Sequence, residues 1–142
     1  MAAPGFTGTG ASITFATSSF TGTYRQIGEL EIEIEAIDST TLNIATGDEM
    51  IHFAGDNPNP SEVTCETRFQ GAQAQPALGV HETITITLRK ETSASTTAAN
   101  LAGTGFITAF RKLPNLQRNQ LNVGMIRFKF DGGTGPTYTV EA

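Results

Sequence analysis

TITITLR, residues 83–89, alternates Ile84, Ile86 and Leu88 with Thr83, Thr85, Thr87 and Arg89. A period of two puts the aliphatic set on one face of a strand and the polar set on the other. The same period recurs on both sides of this stretch. ASITFAT (residues 11–17) aligns Ile13 with Phe15, and EVTCETRF (residues 62–69) aligns Val63, Cys65, Thr67 and Phe69. Residues 105–112 form a further strand candidate, and residues 138–140 a short closing one. Along residues 120–130 the apolar set changes parity, from Leu121, Val123 and Met125 to Ile126, Phe128 and Phe130. One extra residue exchanges the two faces of a strand, so this change predicts a β-bulge at Gly124–Met125.

The most regular alternation is ELEIEIEAID, residues 29–38. Glu29, Glu31, Glu33 and Glu35 occupy one side, and Leu30, Ile32, Ile34 and Ala36 the other. It predicts a strand over residues 29–37 with its aliphatic face in the core and a column of like charges facing outwards. Helical patterning is weak. Residues 70–78 mix Ala and Gln with Gly71 and Pro76, which leaves room for a turn or two. The predicted fold is all-β, an antiparallel sandwich or partial barrel of about six to eight strands with at most one short helix. A length of 142 residues fits a single domain over residues 1–142.

Two segments lie outside a minimal sandwich. Residues 1–10 are rich in Gly, Thr and Ala, with Phe6 as the one anchor, and are expected to be a flexible N-terminal arm. Residues 39–60 close on the breaker run DNPNP (residues 56–60) and exceed the usual length of a connection. They also carry Leu42, Ile44, Met50, Ile51 and Phe53, more apolar surface than a solvated loop holds, so this loop is expected to dock on another surface.

Charge and motifs narrow the function. Net charge is −5 and the basic residues are dispersed without an aromatic platform, which argues against a nucleic-acid-binding surface. The lone Cys65 excludes an internal disulfide and is expected to be a buried, inert thiol. His52 and His81 have no Cys or acidic cluster at metal-ligand spacing, so no metal or cofactor is expected. Gly8-Thr9-Gly10 and Gly103-Thr104-Gly105 lack the Lys-Ser/Thr pair and the helix of a phosphate loop. Four equivalent glutamates on one face lack the asymmetry that separates a catalytic acid from its base. No catalytic residue is expected, and the chain is not read as an enzyme. The N-terminus has neither a basic start nor an apolar run, and no stretch reaches the ~20 apolar residues of a membrane span. A soluble protein made in the cytoplasm is therefore expected.

GTGASITFATSSFTG (residues 8–22), EAIDSTTL (35–42), NPSEVTCETRF (59–69) and AGTGFITAF (102–110) resemble, in order, segments of the major tail proteins of long, non-contractile-tailed phages. The resemblance implies a β-sandwich tail tube subunit that assembles into stacked hexameric rings, through which viral DNA passes into the host without specific binding. It implies a virion location after assembly in the host cytoplasm. The implied partners are copies of the chain itself, tail tip and terminator proteins, and a tape measure protein inside the tube. It places an inter-ring contact on the long loop, with Ile44, Met50, Ile51 and Phe53 as candidates, and an arm that orders on assembly at the N-terminus, with Phe6. Glu29, Glu31, Glu33 and Glu35 become candidates for the channel lining, where like charge repels DNA phosphates over about 8 Å at physiological salt. Two features depart from the family: its helix after the third strand is degenerate here, and no C-terminal immunoglobulin-like decoration follows. Related readings are the tube of a contractile tail, a secretion apparatus or a gene transfer agent. A reading of another class is a carbohydrate-binding β-sandwich, which the absence of Trp disfavours.

Overall fold

The computed structural model of the chain describes residues 9–18 and 20–142. Phe6 and residues 1–8 of the expected N-terminal arm lie outside the described residues. In chain order the strands are β1 (Ser12–Phe15), β2 (Tyr24–Ile27), β3 (Ile32–Glu33), β4 (Ala36–Asp38), β5 (His52–Ala54), β6 (Asn59–Pro60), β7 (Val63–Arg68), β8 (Glu82–Thr87), β9 (Asn100–Phe110), β10 (Val123–Phe130) and β11 (Thr137–Thr139). All ladders are antiparallel, and the described residues contain no helix. Residues 70–78 form turns only.

The body is a seven-stranded sheet in the order β1-β8-β9-β10-β7-β2, with β11 paired to β9. It curls until its faces meet, because the alternating residues of each strand must leave water on the same side. Ile13 and Phe15 of β1, Ile84 and Ile86 of β8, Ile107 of β9, Val63 and Cys65 of β7, and Ile126, Phe128 and Phe130 of β10 form the core. Phe15 packs edge-on against Phe128 with ring centroids 5.9 Å apart, so the terminal strand β1 crosses over the central strand β10. Among the described residues the curl stays open: β1 pairs only with β8, and β2 only with β7. The expected all-β sandwich or partial barrel is what forms.

β9 makes the curl possible. Residues 100–105 pair with β8 and residues 105–110 with β10, so the strand passes between both halves of the sheet. Gly105 sits at the exchange, where a Cβ would collide with the Lys129 carbonyl and lie 3.0 Å from the Phe130 Cα. The ladder between β9 and β10 shifts register between Arg127 and Phe128, leaving Thr108 as the extra residue. Its hydroxyl donates to the Arg127 carbonyl at 3.2 Å. The bulge predicted at Gly124–Met125 is absent, since β10 pairs with β7 without interruption from Val123 to Phe128. Val123 and Met125 instead occupy the outer face, half-buried, while Gly124 holds the inward position.

The largest correction concerns residues 29–37, which are not a strand of the body. Only Leu30 packs against the core, and Ile32 and Ile34 are each 50% exposed. The segment leaves the body after β2 as the first half of a projecting hairpin. The body should nevertheless be sensitive at its crossing point. Gly105→Ala is expected to lower the stability measured by chemical denaturation by about 1–3 kcal/mol through forced separation of β9 from β10. An unchanged midpoint would mean that these two strands do not need their close approach.

Candidate assembly surface

Residues 29–61 form one hairpin arm, built from two short ladders. β3 pairs with β6 (Ile32 with Pro60, Glu33 with Asn59), and β4 pairs with β5 (Ala36 with Ala54, Ile37 with Phe53, Asp38 with His52). Between the ladders, residues 34–35 face residues 55–58, so the returning strand carries the surplus and the ribbon is irregular there. The expected loop of residues 39–60 supplies the tip and the returning strand. At the root, Gly28 lets the chain pass close to β7, because a Cβ there would collide with the Thr64 carbonyl. Ser61 N donates to the Glu31 carbonyl at 2.8 Å, and Lys129 Nζ donates to the Pro60 carbonyl at 2.9 Å. Near the tip Thr40 Oγ1 accepts from Ile51 N at 2.7 Å. Thr40, through its hydroxyl first and then its backbone N–H, holds the Asp38 carboxyl below its ordinary value.

A two-stranded ribbon has no layer to bury its apolar side chains. Ile37 and Phe53 stand directly opposite each other and remain exposed, as do Ile32, Ile34, Leu42, Met50 and Ile51. Leu42 at the tip is fully solvated. Of the four inter-ring candidates, Met50, Ile51 and Phe53 are exposed along the returning strand, and Ile44 is half-buried in the tip turn. Glu29, Glu31, Glu33 and Glu35 are also all exposed, along the root. The aliphatic residues between them, other than Leu30, are therefore not their buried counterparts but part of the same solvated surface. The alternation assigns Ile32, Ile34 and Ala36 to the core, and they belong instead to the exposed arm. None of the arm's carboxylates forms an ion pair with Lys or Arg among the described residues, whereas Glu62 and Glu66 of the body meet Arg127 and Arg25 at 3.0 and 2.9 Å.

At the foot of the arm, between β2 and the opposite sheet face, lies an open groove of ≈ 470 Å³ lined by Tyr24, Ile27, Leu30, Ile86, Leu88, Leu101 and Tyr138, with Arg25 at its rim. The Tyr24 hydroxyl is buried without a partner among the described residues, and burial raises its pKa. A broader polar depression of ≈ 730 Å³ crosses β2, β7 and β10 past Glu29, Glu62, Glu66 and Arg111.

The reactive side chains elsewhere are engaged structurally. Cys65 is fully buried, and burial pushes its thiol up to about 11. No group of three His, Cys, Asp or Glu side chains suited to a metal occurs among the described residues, and His52 and His81 lie in separate places. Asp131 accepts from Thr104 Oγ1 at 2.6 Å and Gly133 N at 2.8 Å, and contacts His81 Nδ1 at 2.7 Å. His81 also lies against Phe106, centroids 4.8 Å apart. The carboxylate stands between hydroxyl and imidazole, so the imidazole is not placed to activate the hydroxyl as in a nucleophilic triad. The cluster fastens the turn after β10 to β9 and to the start of β8. Glu82, buried at the start of β8, similarly accepts from the Thr17 and Ser18 amides at 3.3 and 3.1 Å and from the Ser18 hydroxyl. The exposed aromatics Phe53 and Tyr138 lie on different elements and make no common stacking platform for a sugar.

No family model matches the chain, and no curated protein matches it. Solved structures do share its fold. A chain in the structure of an extracellular contractile injection system, described as the PVC sheath/tube terminator in the extended state, matches with a TM-score of 0.62 at 12% identity. That match covers 89% of this chain and 93% of the other. A chain in the six-fold symmetrised baseplate of the anti-feeding prophage matches with a TM-score of 0.64 at 14% identity, over 100% of this chain and 96% of the other. The fold is thus one found in tail-like contractile injection assemblies, over nearly the whole length of each chain.

The Asp131 cluster gives this subsection its pH prediction. Hydrogen bonds, from Thr104 first and then His81 and Gly133, hold Asp131 at about 2 against an ordinary 3.8. A carboxyl depressed on folding stabilises the fold above its ordinary value, and this contribution disappears as the pH falls through the folded value. Asp131→Asn is expected to melt below the parent at pH 7, with the gap shrinking below pH 3.8 and closing near pH 2. A gap that persists unchanged at pH 2 would mean that packing, not the charge, is what Asp131 supplies.

Proposed function

We propose that the chain is a structural subunit of a phage-tail-like particle, a tube subunit that assembles into stacked six-membered rings. The observation that carries this reading is the arm, a projecting ribbon with apolar side chains and no layer of its own to cover them. A monomeric protein gains nothing from such a feature, whereas a subunit uses it to join copies. Burying each of Met50, Ile51 and Phe53 against a neighbour would contribute about 1.5–3 kcal/mol, repeated at every subunit. The open edges of β1 and β2 favour the same reading, because an unpaired edge is a liability unless another chain covers it. Support from likeness has two parts: the sequence segments that resemble phage tail tube proteins, and the fold shared with chains of contractile injection particles. The tube reading embraces contractile tails and injection systems as well as non-contractile tails. Within it, the exposed root acids Glu29, Glu31, Glu33 and Glu35 are proposed to face the channel, where they repel a polyanionic cargo.

A second reading keeps the particle and changes the place. Two of the solved structures that share the fold are those of a sheath/tube terminator and of a baseplate, so a ring that ends a tube is the alternative. Electron microscopy of the concentrated pure protein separates the two. Tubes with a central channel are expected; rings that never stack would favour the terminal position, and a strictly monomeric protein at every concentration would sink both.

The arm separates folding from assembly. Glu31 and Ser61 are already hydrogen-bonded neighbours, so replacing residues 32–60 by a short Gly/Ser linker closes a smaller loop over the same gap. Loop-closure entropy changes slowly with length, so the thermal midpoint of the body should stay close to the parent's. Tube growth should be abolished. Tubes forming at the parent rate would remove the arm from the assembly contact, and an unfolded body would assign its apolar residues to the subunit's own core.

A further inference from the structure

Charge divides the molecule at the root of the arm. Residues 29–61 hold eight of the 14 Asp and Glu and none of the nine Lys and Arg, so the arm carries −8 and the rest of the chain +3. The same arm exposes apolar residues along its outer part, with Ile37 opposite Phe53 and Ile51 beside them. The body offers an apolar surface to match, with its one lining cation, Arg25, shared with Glu66 at 2.9 Å. Its groove of ≈ 470 Å³ is lined by Tyr24, Ile27, Ile86, Leu88, Leu101 and Tyr138, and Arg25 stands at the rim. Arg89 follows Leu88 in the chain and reaches Gly10, next to the groove residue Ala11. The buried Tyr24 hydroxyl has no partner among the described residues.

We propose that this groove is the receptor for the outer part of the arm of a second copy of the chain. The inference rests on the structural-subunit reading and adds the surface that receives the arm. Arm and groove are different surfaces, so each copy can give one contact and take another from a third copy, which lets the contact continue into a ring or a filament. The groove begins at the arm's own root, where Gly28 and Leu30 line it. The step from one groove to the next is therefore limited by the length of the arm. About a dozen residues separate Leu30 from the tip at Leu42, and at ~3.3 Å per residue they reach at most about 40 Å. The opposite net charges of arm and body steer the encounter, and added salt weakens it.

Cross-linking between two single-cysteine variants tests the assignment. His52→Cys places a thiol on the arm opposite Asp38, away from Phe53, and Gln26→Cys places one on the groove wall. The native Cys65 is buried and stays unreactive. Mixed under conditions where microscopy shows assembly, and treated with a short bis-maleimide, the two variants are expected to give a mixed dimer in severalfold excess over either self-linked product. Molar salt should reduce that yield severalfold. Assembly accompanied by His52→Cys self-linking alone, or by no linking, would overturn the proposal. So would a stronger product between Gln26→Cys and a Phe6→Cys variant, which would give the groove to the N-terminal segment. Failure of both variants and of the parent to assemble under any condition would instead remove the subunit reading itself, and the proposal with it.

Discussion

A two-stranded ribbon cannot bury the side chains on its own faces, and this constraint organises the molecule. An isolated hairpin is at best marginally stable in water, because it gains a ladder of hydrogen bonds but no layer to exclude solvent. Here the ribbon carries Ile32, Ile34, Ile37, Met50, Ile51 and Phe53 in the open. It also concentrates like charges with no cation inside it to offset them. Both features raise the free energy of the lone subunit, and the proposed docking of the arm on an apolar, less acidic surface would relieve both. Under that proposal, the cost of leaving these groups exposed would drive assembly.

The body is complete without the arm. Among the described residues its core draws on β1, β7, β8, β9 and β10, with Phe20, and from the arm Leu30 alone packs against it. Polar fastenings hold the loops that the core does not reach. Asp131 ties the turn after β10 to Thr104 and His81, and Glu82 ties the turn after β1 to the start of β8. The residues that hold the fold are therefore different from those the proposed assembly contact would use.

The strands of the body were legible because period-two alternation there coincides with burial. Val63 to Arg68 and Glu82 to Thr87 read the same way in sequence and in space. The alternation of ELEIEIEAID looked stronger and misled. Alternation states that two faces differ; it does not state that a core waits on one of them, and the next strand needed to supply that core is absent. β2, with the sequence YRQI, is too short and too polar to announce itself. β9 begins earlier than expected because Ala102, Gly103 and Gly105 carry little hydropathy signal, although Gly105 is where the sheet crosses over. The parity change in β10 reflects an outer face that is partly apolar, not an inserted residue. The absence of Lys and Arg from residues 26–67 was plain in the sequence and marks the arm better than its hydropathy does. The groove was not legible, since it is assembled from β2, β8, β9 and β11, which are distant in the chain.

Hydrogen exchange of the arm's backbone amides reports most directly on whether the arm is unpartnered in the subunit and covered in the assembly. In dilute protein, amides in β4 and β5 are expected to exchange far faster than those of β8 and β10, because little apolar packing resists local opening of the ribbon. In assembled material the same arm amides should be protected by orders of magnitude, while those of the body change little. Equal exchange of the arm in the two states would contradict the account, since the ribbon would then be either stable by itself or uninvolved in joining copies.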